Sequence, residues 1–239
     1  MENTETNGER QKARGRKINI HEDDEGGVDL SKVKALSIPR IATATMEVTC
    51  VGTSALIIKA WSKEARAAML GSQMGLPKEK TRKDPNKEFM GCRYLDKKGR
   101  DYIPGRVIKK CLTSAGELVG VKRTLLDKVL FILDEEVLIN CPGGPKMRED
   151  MVRNRGAMGS VADIRFRPEY TKWGFTCRVE YHKGFLTPEA VLNLFQNAGY
   201  SCGIGEMRPQ KSGEFGRFEP TGNVSLKGDK VSAGKGSLA

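Results

Sequence analysis

Histidine is scarce in this 239-residue chain: His21 and His182 stand alone against 41 Lys and Arg and 30 Asp and Glu. The commonest general acid–base side chain therefore has no second copy nearby with which to build a constellation. The six cysteines, at 50, 92, 111, 141, 177 and 202, contain no CxxC pair, so their spacing writes neither a zinc ribbon nor a disulfide framework. They read as buried free thiols. Aromatic residues are only 6% of the chain, which limits the surface for base stacking. No run approaches the ~20 apolar residues that a membrane span needs. The longest, 129–133, reads as one buried strand. The opening residues, Met1-Glu-Asn-Thr-Glu-Thr-Asn7, offer neither a basic nor an apolar signal region, which leads us to expect a cytoplasmic protein with no membrane partner.

Positive charge is what the chain has in excess. The net charge is +11, and the pI near 9.4 points to a polyanionic partner. Residues 78–128 hold fifteen basic side chains against seven acidic ones, so most of the excess sits there. Residues 1–38 are polar, nearly balanced in charge and without apolar periodicity, and read as a disordered arm. Its basic cluster, Arg10-Gln-Lys-Ala-Arg-Gly-Arg-Lys17, either touches nucleic acid or is a solvated tail. Residues 222–239, rich in Gly, Ser and Lys, read as a flexible tail.

The body between them, 39–221, reads as one α+β domain. Residues 41–51 alternate with period two and predict a strand, and 55–61 a second extended run. Ser62 caps a short helix over 63–70. Residues 77–88 read as a charged loop, and 92–95 with 100–103 as a hairpin turning at Gly99. Pro104 opens a helix whose stripe is Val107, Ile108, Cys111, Leu112, Ala115 and Leu118. Residues 128–141 predict a buried strand and its hairpin partner, 142–160 a loop, and 162–168 and 172–182 two further strands. Thr187, Pro188 and Glu189 then start a helix that Gly199 ends. The glycine-rich loop 203–216 leads into a short strand at 217–219.

Strand, strand, helix, loop and strand from 162 to 219 form the back half of a ferredoxin-like β-α-β-β-α-β unit, with 43–51 as its front strand. The expected result is an antiparallel sheet with helices on one face. Arg165, Arg167 and Arg178 would then share the wet face of adjacent strands, placed to hold phosphates with their bidentate forks or simply to keep the sheet soluble. The glycine loop follows a helix and opens a strand, the reverse of a dinucleotide fingerprint, and its spacing is not that of a Walker loop. Its glycines, Gly203, Gly205, Gly213 and Gly216, either present bare amides to a phosphate with Arg208, Lys211 and Arg217 nearby, or serve a tight connection.

A helix followed by Gly203-Ile-Gly205, then Gly213-Glu-Phe-Gly216 running into the last strand, resembles the RAMP superfamily, the ferredoxin-like RNA-binding proteins of CRISPR effector complexes. The likeness covers 162–219, and seven residues separate its glycine pairs, more than the usual pattern. Separately, residues 52–61, 147–153 and 203–218 look like an uncharacterised family of tailed phages and prophages, which would place the protein in a host cytoplasm. The RAMP resemblance implies that insertions near 77–103 and 142–160 contact RNA and neighbouring subunits. The resemblance assigns no individual residue there; the basic side chains of those segments, Lys80, Arg82, Lys83, Arg153 and Arg155, join the candidate nucleic-acid-binding residues on their charge. The expected function is non-catalytic binding of single-stranded RNA or DNA, as a homo-oligomer or a subunit of a nucleoprotein complex, with no cofactor and no metal. The alternatives are an assembly or decoy protein that binds an acidic protein partner, and a RAMP-type RNA endonuclease using His182.

Overall fold

Thr43, Thr45, Glu47 and Thr49 alternate with Ala44, Met46, Val48 and Cys50, and the strand they form, β1 (Thr43–Gly52), lies inside the main sheet. In the computed structural model the described residues are 38, 40–77, 82–156 and 159–227, with 154–156, 159–161 and 222–227 described by their backbone alone. The expected arm over 1–38, apart from residue 38, and the tail beyond 227 lie outside them. After β1 come β2 (Leu56–Ile57), α1 (Lys63–Gln73), α2 (Pro85–Gly91), β3 (Tyr102–Pro104), α3 (Gly105–Leu118) and α4 (Arg123–Val129). Next are β4 (Leu130–Ile132), β5 (Glu136–Asn140), β6 (Lys146–Gly156), β7 (Gly159–Tyr170) and β8 (Gly174–His182). The chain ends with α5 (Pro188–Asn197), a π-helical turn and β9 (Phe218–Lys227).

The main sheet has the order β3-β5-β8-β1-β9, with β4 also on β8, and its described pairings are antiparallel. Taken with α3 and α5, the path β1-α3-β4/β5-β8-α5-β9 is a ferredoxin-like unit. Its core-facing positions are Met46, Val48 and Cys50 of β1 and Phe175, Cys177, Val179 and Tyr181 of β8. Ile108, Leu112 and Ala115 of α3 and Val191, Leu194 and Phe195 of α5 fill the same core. Trp173, Phe175 and Phe218 pack as an aromatic group at one end of the sheet. The helix starts follow the sequence: the Thr187 hydroxyl accepts from Ala190 N and Ser62 from Ala65 N. All six cysteines are free, five of them buried and Cys141 partly so.

Several sequence expectations need correction. Residues 162–168 are not neighbours of 172–182 in the sheet: β7 belongs to a second sheet, β2-β7-β6. The ferredoxin position beside β8 is taken instead by β4 and β5, which lie along one edge of β8 and are not paired with each other as a hairpin. The break between them is held by Asp134, whose carboxylate accepts the Arg178 amide at 2.7 Å. Residues 142–160 are largely β6, eleven residues paired with β7, and not a loop. Both faces of β6 carry charge, so it lacks the apolar alternation that marks a strand. Helices α2 and α4 were not foreseen, and the hairpin at 92–103 is reduced to one bridge, Leu95 to Asp101. The last strand runs on to Lys227, well into the stretch read as a tail.

The β6–β7 hairpin is fastened by ion pairs. Arg167, 1% exposed, puts Nη2 2.7 Å from Asp150 and Nη1 3.5 Å from Glu206 of the glycine loop. Arg148 donates to Asp150 and Glu169 and lies over the Phe215 ring. Burial pushes the Asp150 carboxyl up, but hydrogen bonds from Arg148 and Arg167 outweigh it and hold it below the usual carboxylate range.

Two predictions follow from this packing. Leu112→Ala, in the middle of the α3 stripe, costs about 2–5 kcal/mol in denaturant unfolding. Asp150→Asn leaves the buried Arg167 guanidinium poorly compensated and costs about 3–5 kcal/mol. Because the Asp150 carboxyl is depressed, its contribution is complete above about pH 3.9 and is lost as the pH falls through its lower folded value. Protection of the β6 and β7 amides against exchange, taken relative to the intrinsic rate at each pH, should therefore fall at low pH in the native protein. In Asp150→Asn the exchange of these strands should already be fast at neutral pH.

Candidate nucleic-acid interface

β2 and the residues after it leave the second sheet carrying a polar surface. Lys59 is exposed between the buried Ile58 and Ala60 because the chain there is extended and alternates. Trp61 follows and is 52% exposed, unusual for the largest apolar side chain. The Arg66 guanidinium, one turn into α1, sits 5.2 Å from the centre of the Trp61 ring. Below them, Asp84 caps α2 by accepting from Asn86 N and Lys87 N, which fixes Lys87 beside the tryptophan's segment.

These residues line an open groove of about 470 Å³ whose cations are Lys59, Arg82, Lys83 and Lys87. Its carboxylates are Glu64, Asp84 and Glu88. Asp84 is engaged in the cap, and Glu88 lies 3.6 Å from Lys83. Glu64, at the start of α1, has its carboxyl pKa lowered first by its own backbone amide and also by the nearby charge of Lys87. Lys83 also donates to Asp163 at 2.7 Å and to the carbonyl of Ile164. Those contacts, led by the Asp163 hydrogen bond, hold its ammonium pKa above the ordinary lysine value. Among the described residues, Lys59, Arg82 and Lys87 form no ion pair. Lys59 also lines a second, smaller cavity of about 150 Å³, whose mouth includes Arg208 and whose wall includes Tyr94. Tyr94 lies 5.6 Å from Tyr102, ring centre to ring centre. Burial raises the Tyr102 phenol pKa, with Arg106 and Arg66 opposing from nearby. The surface from Trp61 to Arg208 therefore interleaves aromatic rings with cations.

Four of the sequence-derived residues, Arg82, Lys83, Gly205 and Arg208, belong to this surface. Arg208 is positioned by donating to Gly205 O at 2.9 Å and to the Gln210 side chain. The expected arginine face does not form. Arg178 lies on the open face of the main sheet and is neutralised by Asp134, 2.6 Å away. Arg167 is buried, and Arg165 lies on β7 with Asp163 3.6 Å away. The cavity on the open sheet face is lined by Glu47, Asp134 and Glu136 against Arg100 and Arg178, and Arg100 is itself paired with Asp96. That face carries more carboxylates than guanidiniums, and both guanidiniums are paired. Arg217 lies over the Tyr200 ring at 4.9 Å, lining a different cavity. Lys211 is exposed in the glycine loop and Arg153 on β6, while Lys80 and the Arg155 side chain lie outside the described residues.

The glycines serve the loop's packing and do not offer a cradle of bare amides. Gly203 N donates to Ala198 O, Gly213 N to Arg208 O and Gly216 N to Ala55 O. Gly205 has φ +81° and a Cβ there would lie 2.3 Å from Ile57 O; at Gly216 it would lie 1.8 Å from Ile204 O. His182 accepts from Gly184 N through Nδ1 and packs edge-on against Phe185, in a turn. Lys59, Trp61, Lys87 and Tyr94 were missed from the sequence. An exposed tryptophan next to alternating Lys59 was the available signal, obscured because 55–61 reads equally well as core.

Among the described residues no group of His, Cys, Asp and Glu could hold a metal ion, and no helix is long and apolar enough to cross a membrane. No family model and no curated protein matches the chain. Two solved structures are similar in outline. One is a chain in the cryo-EM structure of the type III-B Cmr-beta complex bound to cognate target RNA, at 11% identity and a TM-score of 0.48, over 77% of this chain and 61% of that one. The other is Cmr6 from Pyrococcus furiosus, at 14% identity and a TM-score of 0.40, over 76% of this chain and all of that one. At these scores neither likeness bears weight. The fold class, α+β with antiparallel sheets in ferredoxin-like order, rests on the strand pairings.

Proposed function

We propose that the protein binds single-stranded nucleic acid, without catalysis, along the surface from Trp61 to Arg208. The observation that carries this reading is the half-exposed Trp61, with Arg66 on its ring, beside three cations that have no described ion-pair partner. Exposing a tryptophan forgoes the burial of a large apolar side chain. Nucleobases recover that contact by stacking, and every base has a face to stack. Lysines that are not neutralised internally supply the phosphate contacts and the counterion release that drives binding. A duplex hides its base faces, so the surface suits a single strand. Membership of a nucleoprotein assembly, with several copies or several subunits along RNA or DNA in a phage or CRISPR-like setting, belongs to the same proposal.

The test is fluorescence anisotropy with labelled single-stranded RNA, single-stranded DNA and duplex DNA of equal length, each at two salt concentrations. One single strand should bind more tightly than the duplex. Trp61→Ala should weaken it by about 1–3 kcal/mol. Lys59→Gln and Lys87→Gln should each lower the slope of log K against log salt by about 0.7. Arg178→Ala, on the open sheet face, should leave affinity unchanged. Equal and weak binding to all three polymers would overturn the reading and favour an acidic protein partner.

A further inference from the structure

The smaller cavity beside the groove is unlike the rest of the surface. Its walls are apolar and come from three places: Leu56 and Ile58 around β2, Ile103 and Val107 around the start of α3, and Ile204 of the glycine loop. Its charged lining residues are Lys59, Glu206 and Arg208, the first of them exposed. A volume of about 150 Å³ admits one planar base and not two. We propose that this pocket takes a single base turned out of the bound strand, and that Glu206 selects guanine.

The proposal rests on the strand-binding reading, which supplies the reason for a nucleobase to be at hand. The pocket shares Lys59 with the groove, so a strand on Trp61 can turn a base inward while Lys59 and Arg208 meet its phosphates. Glu206 is held in place by its own amide, which donates to Ile57 O at 2.8 Å. Its carboxylate has Arg167 only at 3.5 Å, and its side chain is 36% exposed, leaving acceptor capacity toward the mouth. An ionised carboxylate accepts and cannot donate. Guanine presents two donors side by side on its pairing edge, an imino N–H and an amino group, and matches both oxygens. Uracil presents one N–H between two carbonyl oxygens, which the carboxylate repels. Bases splayed from single strands are read along this edge, and a matched bidentate contact is worth about tenfold or more in discrimination.

The experiment uses the full chain and two mononucleotides, guanosine 5′-monophosphate and uridine 5′-monophosphate, titrated by ligand-observed NMR. The guanosine nucleotide should bind about tenfold more tightly. Glu206→Gln should erase the difference, and Val107→Phe, which fills the pocket from its half-buried wall, should weaken both ligands. Because Glu206 faces the buried Arg167, its variant is checked by thermal melting. Val107→Phe keeps the test open if Glu206→Gln does not fold. Equal binding of the two nucleotides to the native protein, or guanosine nucleotide binding that Val107→Phe leaves unweakened, overturns the pocket. The same titration separates the two readings. Guanosine nucleotide bound without any strand binding supports the pocket and removes the groove, whereas strand binding with no mononucleotide preference removes the pocket and leaves the groove.

Discussion

The fold hangs on a short stretch of extended backbone, residues 55–58, hydrogen-bonded on both sides. On one side Leu56 and Ile57 pair with Tyr170 and Glu169 of β7, and Ile58 N donates to Pro168 O. On the other, Glu206 N donates to Ile57 O and Gly216 N to Ala55 O. A buried strand of two residues could not otherwise satisfy its polar groups. The arrangement makes 55–58 the joint between the second sheet and the loop that returns to the main sheet as β9. It also explains the glycines: the loop backbone must approach so closely that at Gly205 and Gly216 a side chain would collide with a carbonyl oxygen.

From that joint the rest is positioned. The same register that buries Ile58 and Ala60 turns Lys59 outward, and Trp61 follows where the chain leaves the core. The loop carries Glu206 and Arg208 to the mouth of the small pocket, while Arg167 ties the β6–β7 hairpin to Glu206 from behind. A buried arginine is costly unless it is fully compensated. Here Asp150, the closer partner, comes from the facing strand of the same hairpin, and Glu206 from the glycine loop, so docking of the loop completes a compensation that the hairpin has begun.

Much of the main sheet was legible from the residues. Alternation at 43–51 and 172–182 and the capping signals at Thr187 and Pro188 report local physics: side-chain period two, orphan helix amides, and the fixed φ of proline. The misplacement of β7 has a different origin. Ala162–Pro168 alternates like any sheet strand, and nothing local says which sheet it joins. That is decided by its eleven-residue pairing with β6, a strand that lacks apolar alternation, and by Tyr170 meeting Leu56, more than a hundred residues away in sequence. The same gap misled the site. Arg165, Arg167 and Arg178 alternate with apolar residues along their own strands, but β7 and β8 lie in different sheets, and Arg167 is buried while Ile164 is exposed. The partners that neutralise Arg167 and Arg178, Asp150 and Asp134, come from elsewhere in the chain.

Charge count and charge compensation guide differently: the basic segment 78–128 supplies Arg82, Lys83 and Lys87 to the proposed surface, whereas Arg167 and Arg178 are paired within the fold. The chain is strongly basic, yet the open sheet face is lined by more carboxylates than guanidiniums, and its arginines are paired. The arginine and lysine side chains that complete ion pairs within the fold have their field cancelled within a few ångströms, and screening by salt removes what remains. Lys59, Arg82 and Lys87, which complete no ion pair among the described residues, keep more of theirs, and they line the groove beside an exposed aromatic ring. A polyanion responds to the residual field, not to the composition. Aromatic stacking then adds a contact that does not weaken with salt, so a strand held on both would keep part of its affinity where a purely ionic complex loses it.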